Sequence, residues 1–220
     1  MPIRTCIRDI ERGLHCETIA MPGNLYCEAH AREAGWRPPY EPTWKPKIMV
    51  MGHARHGKDT VGELLSDEYC LSFQSSSLFA SKRVMMPAFS FKGRDGVENK
   101  YRTALECYED RVNHRKFWFD EIYRYNTPDC SRLGRELFQQ YDVYGGIRSF
   151  REFFALKNQG LFDASIWVDA SKRVEPEPGS SNEMQPWMCD FFLDNNGPVE
   201  ELKTNLRHIM RRIMERKARP

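Results

Sequence analysis

Gly52-His53-Ala54-Arg55-His56-Gly57-Lys58-Asp59-Thr60 is the stretch on which the reading of this chain turns. It fits the pattern G-x-x-x-x-G-K-x-T. Glycines at those places let the backbone fold back so that its N–H groups point inward at a phosphate. Lys58 then reaches the outer phosphates of a nucleotide as a point charge. The flanks supply the context that such a loop needs. Ile48-Met49-Val50-Met51 is a short apolar run and reads as a buried parallel strand. Residues 58–69 read as a helix with Val61, Leu64 and Leu65 on one face. A helix that starts at Lys58 aims its positive dipole end at the same anion. Asp59 stands where a Ser or Thr is usual. A carboxylate beside a triphosphate is repelled unless a cation lies between them. Asp59 is therefore expected to hold Mg²⁺, with the Thr60 hydroxyl beside it.

Working outward, residues 71–74, 143–147, 165–168 and 189–193 are further strand candidates. Helical spacing covers 105–125, with Leu105, Tyr108, Val112, Phe119, Ile122 and Tyr123 as the apolar positions. It returns over 131–141 and 150–157. The last helix begins near Val199, after Asn195-Asn196-Gly197-Pro198. Glu200 and Glu201 lie in its first turn and Arg and Lys in its last, as the helix dipole favours. Residues 172–187 are rich in Pro, Gly, Ser and Glu and read as a loop. Strands alternating with helices predict an α/β domain with a mainly parallel sheet.

Residues 1–46 differ from the rest. They carry three cysteines and two histidines, few branched aliphatics, and a Pro- and Trp-rich end, so a boundary is placed near Lys47. The expected organisation is a small module with linker over 1–46 and the main domain over 47–220. Cys27-x-x-His30 has zinc-knuckle spacing, and Cys6 and Cys16 could complete a tetrahedral site. A segment with so little core needs such a staple to fold. Four protein ligands leave no open position, so the Zn²⁺ expected there is structural. The segment also loosely resembles short zinc ribbons beside phage nucleases. His15 is a rival ligand, and reduced cysteines packed as small hydrophobes are the plain alternative. Cys70, Cys107, Cys130 and Cys189 are spread out and read as ordinary buried or half-buried thiols.

Composition bounds the remaining choices. Apolar residues at 40% and charged residues at 29% suit a packed core rather than a disordered chain. A net charge of +2 gives no whole-chain reason to expect nucleic-acid binding. No apolar run is long enough for a membrane span, and the opening residues lack a secretory apolar stretch. A reducing cytoplasm is the expected compartment, the host's if the chain is a phage's.

Four stretches carry a family resemblance. The 52–60 loop with its GKDT ending resembles that of the deoxynucleoside monophosphate kinases of bacteriophages, which are P-loop nucleotide kinases. Leu78-Phe79-Ala80-Ser81-Lys82 is similar to a segment those enzymes have after the second strand. Val143-Tyr144-Gly145-Gly146-Ile147-Arg148, followed by Glu152, resembles their strand ending in arginine. Residues 190–202 resemble their last strand and helix. The likeness spans about 47–217, and the phosphate loop is its specific part. Ser149-Phe150-Arg151 departs from the family pattern after the arginine.

The resemblance implies a three-layer α/β sandwich with a five-stranded sheet. It implies transfer of the γ-phosphoryl group of ATP, with Mg²⁺, to a (deoxy)nucleoside monophosphate. Residues 52–60, Lys172 and Arg173 would bind ATP. Lys58, Asp59 and Arg148 would serve the transfer, and Lys82, Arg111, Arg115 and Arg148 the acceptor. Residues 172–187 fall where such kinases carry a lid that excludes water. Arg111 and Arg115 are one helical turn apart and would suit a phosphate clamp or ordinary surface ion pairs. A homodimer is compatible with this reading. Its rivals are a kinase of a coenzyme precursor or a polynucleotide end, and a zinc-containing nucleic-acid-binding protein that uses the basic last helix.

Overall fold

The computed structural model describes residues 44–90, 101–176 and 182–218. The chain divides after Trp44, and Lys45–Pro220 forms one compact unit. Cys6, Cys16, Cys27 and His30, with the zinc site expected of them, lie outside the described residues.

Strand β1 (Ile48–Met51) is buried at every position. Helix α1 (Lys58–Tyr69) follows it across the phosphate loop and buries Val61, Gly62 and Leu65. It ends at Cys70 in a left-handed cap, which leaves that thiol exposed rather than half-buried as expected. Strand β2 (Phe73–Ser75) leads into a helical stretch that the apolar spacing does not announce. It comprises α2 (Ser76–Ala80), a π-helical turn (Ser81–Met85) and α3 (Met86–Ser90).

The 105–125 stretch is not one helix. It divides into α4 (Ala104–Glu109), a 3-10 turn (Asp110–Asn113) and α5 (Arg115–Tyr125). A capping box of Thr103 and Glu106 starts α4. The break changes the helical phase. Leu105, Val112, Phe119 and Tyr123 therefore face solvent, Phe119 and Tyr123 at 70% and 64% exposure, while Cys107 and Trp118 are buried.

Helix α6 (Arg132–Gln140), strand β3 (Val143–Gly145), helix α7 (Phe150–Asn158) and strand β4 (Ala164–Asp169) come next. After a 3-10 turn (Pro186–Met188), strand β5 (Phe191–Asp194) and helix α8 (Val199–Ala218) complete the unit.

The five strands lie in the order β2-β3-β1-β4-β5, and every pairing is parallel. Ile48 sits opposite both Val143 and Ala164, so β1 is central. Side chains alternate across it. Met49 and Met51 join Tyr144 and Trp167 in a core shared with Phe79, Val84, Met85, Trp118, Leu137 and Phe153 of the helices on that face. α1 packs against β1, β2 and β3, and α8 packs on β5. An ion pair from Arg207 to Glu68 at 3.5 Å places α8 beside α1. The result is three layers, helices on each side of the sheet.

At the N-terminal ends of the strands, carboxylates tie neighbours together. Asp142 accepts from the Ser72 amide and hydroxyl at 3.0 and 2.9 Å, and Asp190 does the same for Ser165 at 2.9 and 2.7 Å. The C-terminal ends are left for the site. The connection from β1 runs toward β3 and β2, and that from β4 runs toward β5. Open α/β sheets bind ligands at this kind of reversal.

Candidate phosphate-transfer site

The phosphate loop fills the span between β1 and α1, at the sheet's point of reversal. Gly52 has φ 146, and a β-carbon there would collide with the Val168 carbonyl oxygen of β4. That neighbour is backbone and cannot step aside, so only glycine fits. Arg55 and Gly57 hold φ of 63 and 93. Positive φ at alternate residues turns successive N–H groups to one side, which makes a concave anion seat. The Lys58 ammonium donates to the His53 carbonyl at 2.5 Å, so the charge is kept within the loop. Asp59 and Thr60 are exposed in the first turn of α1.

His56 is fully buried and makes the loop's longest-range ties. Its Nδ1 accepts from the Ala170 amide at 3.0 Å, and its Nε2 lies 3.1 Å from the Val174 carbonyl. An amide can only donate and a carbonyl can only accept, so the ring is the Nε2–H tautomer. The His56 carbonyl accepts from the Asn195 side chain at 2.9 Å. One residue thus joins the phosphate loop to the segment after β4 and to the end of β5. The His53 ring packs edge-on against His56 and Trp167, at 5.2 and 5.3 Å.

The same mouth holds Lys172 and Arg173. The Lys172 amide donates to Asn196 at 2.8 Å, and the Arg173 guanidinium donates to the Asn195 carbonyl. Asp169, the last residue of β4, accepts from Asn196 at 3.0 Å and from the Ser171 hydroxyl at 2.8 Å. Partial burial pushes its carboxyl up, but those hydrogen bonds outweigh it and hold it below the usual carboxylate range. Asp169, Asn195 and Asn196 had no assigned role in the sequence. A lone Asp ending the apolar run Ile166-Trp167-Val168 was the available signal.

On the other side of the loop, β3 ends at Gly145, and the Gly146 amide donates to Val50 of β1 at 2.9 Å. Arg148 follows, exposed, with its carbonyl accepting from the Glu183 amide at 3.1 Å. The Glu183 carboxylate in turn accepts from the Phe150 amide at 2.8 Å, in the first turn of α7. Residues 182–183 of the expected lid are thus seated at the end of β3, and 177–181 lie outside the described residues.

Lys82, Arg111 and Arg115 stand on the helical arm between α2 and α5. Lys82 and Arg115 are exposed. Arg111 stacks over Tyr108 at 3.8 Å and donates to its carbonyl at 2.8 Å. An open cavity of about 490 Å³ on this arm is lined by Tyr101, Glu106, Glu109, Asp110 and Asn113. Its charge has the wrong sign for a phosphate.

The basic face of α8 is partly used within the fold. Arg212 and Arg216 lie over the Phe191 ring at 5.2 and 4.6 Å, and Lys203 pairs with Glu200 at 3.5 Å. Leu202, Leu206, Ile209, Met210 and Ile213 are buried, which makes the helix a packing element. Among the described residues no cluster of three or more His, Cys, Asp or Glu could hold a metal, and no helix is long and apolar enough to cross a membrane.

No protein-family model matches the chain, and neither does any curated protein. Among solved structures, the chain is similar to the shikimate kinase from Aquifex aeolicus vf5. Identity is 17% over 79% of this chain and 99% of that one, with a TM-score of 0.44. A gluconokinase from Sinorhizobium meliloti 1021 is 15% identical over 78% and 97%, with a TM-score of 0.37. A sugar kinase from Janibacter sp. HTCC2649 is 16% identical over 73% and 91%, with a TM-score of 0.38. These likenesses are distant, and no residue of this chain takes its role from them.

Proposed function

We propose that the chain is an ATP-dependent phosphotransferase whose acceptor is a (deoxy)nucleoside monophosphate. The observation that carries this reading is the placement of Lys58. It heads α1 within the glycine-built loop, and its side chain comes beside Gly146 at the end of β3, the strand that leads into Arg148. A phosphate loop on one side and a strand end carrying an arginine on the other are what in-line transfer between two nucleotides needs.

The protein's work in such a reaction is positioning and charge. The loop amides and Lys58 would hold the donor's phosphates. Arg148 would meet the acceptor phosphate, and Lys172 and Arg173 would stand at the donor's edge. Asp59 and Thr60 offer a carboxylate and a hydroxyl oxygen in an exposed turn, a donor set that suits Mg²⁺. Bound there, the ion would neutralise charge on the donor phosphates. A dianionic phosphate acceptor needs no general base, which fits a mouth where Asp59 would be given to Mg²⁺ and Asp169 is tied up by Asn196 and Ser171.

The test is turnover. The full chain is incubated with ATP, Mg²⁺ and each common ribo- and deoxynucleoside monophosphate, and diphosphate is measured. Product from one or more monophosphates supports the assignment and names the acceptor. ATP binding without product from any of them removes the acceptor and moves a coenzyme precursor or a polynucleotide end ahead.

A further inference from the structure

Strand β3 stops at Gly145 and helix α7 starts at Phe150, so Arg148 lies in the short connection between them. The near side of that connection is fastened to the sheet. The Gly146 amide donates to the Val50 carbonyl at 2.9 Å, and Ile147 is buried at 2% exposure. The far side is gripped by Glu183. Its amide donates to the Arg148 carbonyl at 3.1 Å, and its carboxylate accepts from the Phe150 amide at 2.8 Å. These two bonds straddle Ser149. One residue, 33 positions beyond Phe150, therefore holds the turn on both sides.

The cap of α7 differs in its source from those of two other helices. α2 and α4 are capped by the residues that precede them. Ser75 accepts from the Leu78 amide at 3.3 Å, and Thr103 accepts from the Glu106 amide at 3.1 Å. Ser149 stands in the same place before α7 and is of a type that caps well, yet its side chain makes no cap bond. An orphan amide of the first turn is given to Glu183 instead. A carboxylate is a stronger acceptor than a hydroxyl and sits well at the positive end of a helix dipole. Engaged there, its charge also opposes a nearby phosphate less than a free carboxylate would.

Glu183 is itself placed by its neighbours. Asn182 and Met184 are buried at 2% and 0% exposure, and the Asn182 side chain accepts from the Met184 amide at 3.1 Å. α7 has a second tie on its inner face, where the buried Glu152 accepts from the Tyr144 hydroxyl at 2.8 Å. Phe153 and Leu156 of α7 are buried as well. The helix thus stays docked without the Glu183 carboxylate, and what that group adds is local to the Arg148 turn.

We propose that Glu183 is a positioning residue whose amide and carboxylate fix the turn that carries Arg148, so that Arg148 meets the acceptor phosphate from a set place. This rests on the phosphotransfer reading and on the role of Arg148 within it. Glu183 acts through Arg148 and touches neither nucleotide.

The experiment measures phosphoryl transfer by the full chain from ATP, with Mg²⁺, to AMP, CMP, GMP, UMP and their deoxy counterparts. The wild type is compared with Glu183→Ala, Glu183→Gln, Arg148→Lys and the double variant of Arg148→Lys with Glu183→Ala. Thermal melting checks that each folds. The expected result for Glu183→Ala is a rise of about tenfold in acceptor KM, with the KM for ATP unchanged. Glu183→Gln keeps an oxygen for the Phe150 amide and stays within about threefold of the wild type. A lysine on its flexible stem depends less on the set of the turn, so in the Arg148→Lys background Glu183→Ala adds less than about twofold. The proposal is overturned if the effects of the two single substitutions simply multiply, or if both KM values rise together. Transfer to none of these monophosphates overturns it together with the acceptor assignment. Transfer by the wild type that Glu183→Ala performs with the same acceptor KM, whatever its melting temperature, overturns the positioning role alone.

Discussion

At the ends of β1, β4 and β5 the phosphate loop is held by groups removed from water, whereas on the arm from α4 to α5 aromatic rings at helical spacing stand in solvent. His56 is fully buried and bonded to chain segments more than a hundred residues away in sequence. Phe119 and Tyr123, by contrast, stack on each other at 6.4 Å with most of their surface exposed. The donor side is pre-set by backbone partners that cannot rotate away. The arm is assembled from short helices whose exposed faces contribute little to the core. Rigid positioning belongs where charge must be met at a fixed place, and the arm carries no such demand on its outer face.

Four substitutions would break or sharpen this contrast. Gly52→Ala should do most harm, since its β-carbon meets the Val168 carbonyl at a positive φ. A loss of more than about 4 kcal/mol in urea unfolding, or failure to fold, is expected. An alanine variant with wild-type stability would remove the claim that β4 presses on the loop. His56→Ala comes next. It strips partners from the Ala170 amide and the Val174 carbonyl, at about 3 kcal/mol together. It should also raise the KM for ATP about tenfold while leaving that for the acceptor unchanged. Equal rises in both would mean that His56 is not specific to the donor side.

Glu152→Gln tests the buried acid through pH. Its folded-state value of about 7 lies above the ordinary 4.5, so the native state binds the proton more tightly than the unfolded chain. Stability from this group is therefore full below about pH 4.5 and is lost as pH rises through 7. Tyr144 donates to this carboxyl and Gly134 lies against it, and neither is a cation. The glutamine variant should match the wild type at pH 4.5 and exceed it by roughly 2–3 kcal/mol at pH 8. A constant difference across that range would mean that Glu152 is ionised throughout. Phe119→Ala should matter least, within about 0.5 kcal/mol, because its ring is exposed. A large loss would show that the arm's outer face is covered by something.

Legibility followed the same divide. The apolar run of β1, the loop and α1 were readable because each is local: residues 48–69 hold strand, turn and helix in unbroken order. The buried strand β4 and the helix α8 announced themselves by composition and period. The helical stretch from Ser76 to Ser90 did not. Phe79 and Val84 are five residues apart, a spacing that fits the π-helical turn between them and not the 3.6 period. The 105–125 stretch misled for the opposite reason. Its spacing was regular in sequence, but the 3-10 turn at Asp110–Asn113 shifted the phase and sent Val112 and Phe119 outward. Asp169, Asn195 and Asn196 were not legible as a group, because what joins them is hydrogen bonding between the ends of two strands.

Everything proposed for the site depends on the 52–60 loop holding the phosphates of ATP with Lys58 as its charge. Calorimetric titration of Mg·ATP into the wild type and Lys58→Ala tests it most directly. The expected result is wild-type binding that Lys58→Ala weakens about 10- to 100-fold, the value of a hydrogen bond to a charged group. Equal affinity in the two proteins would contradict it.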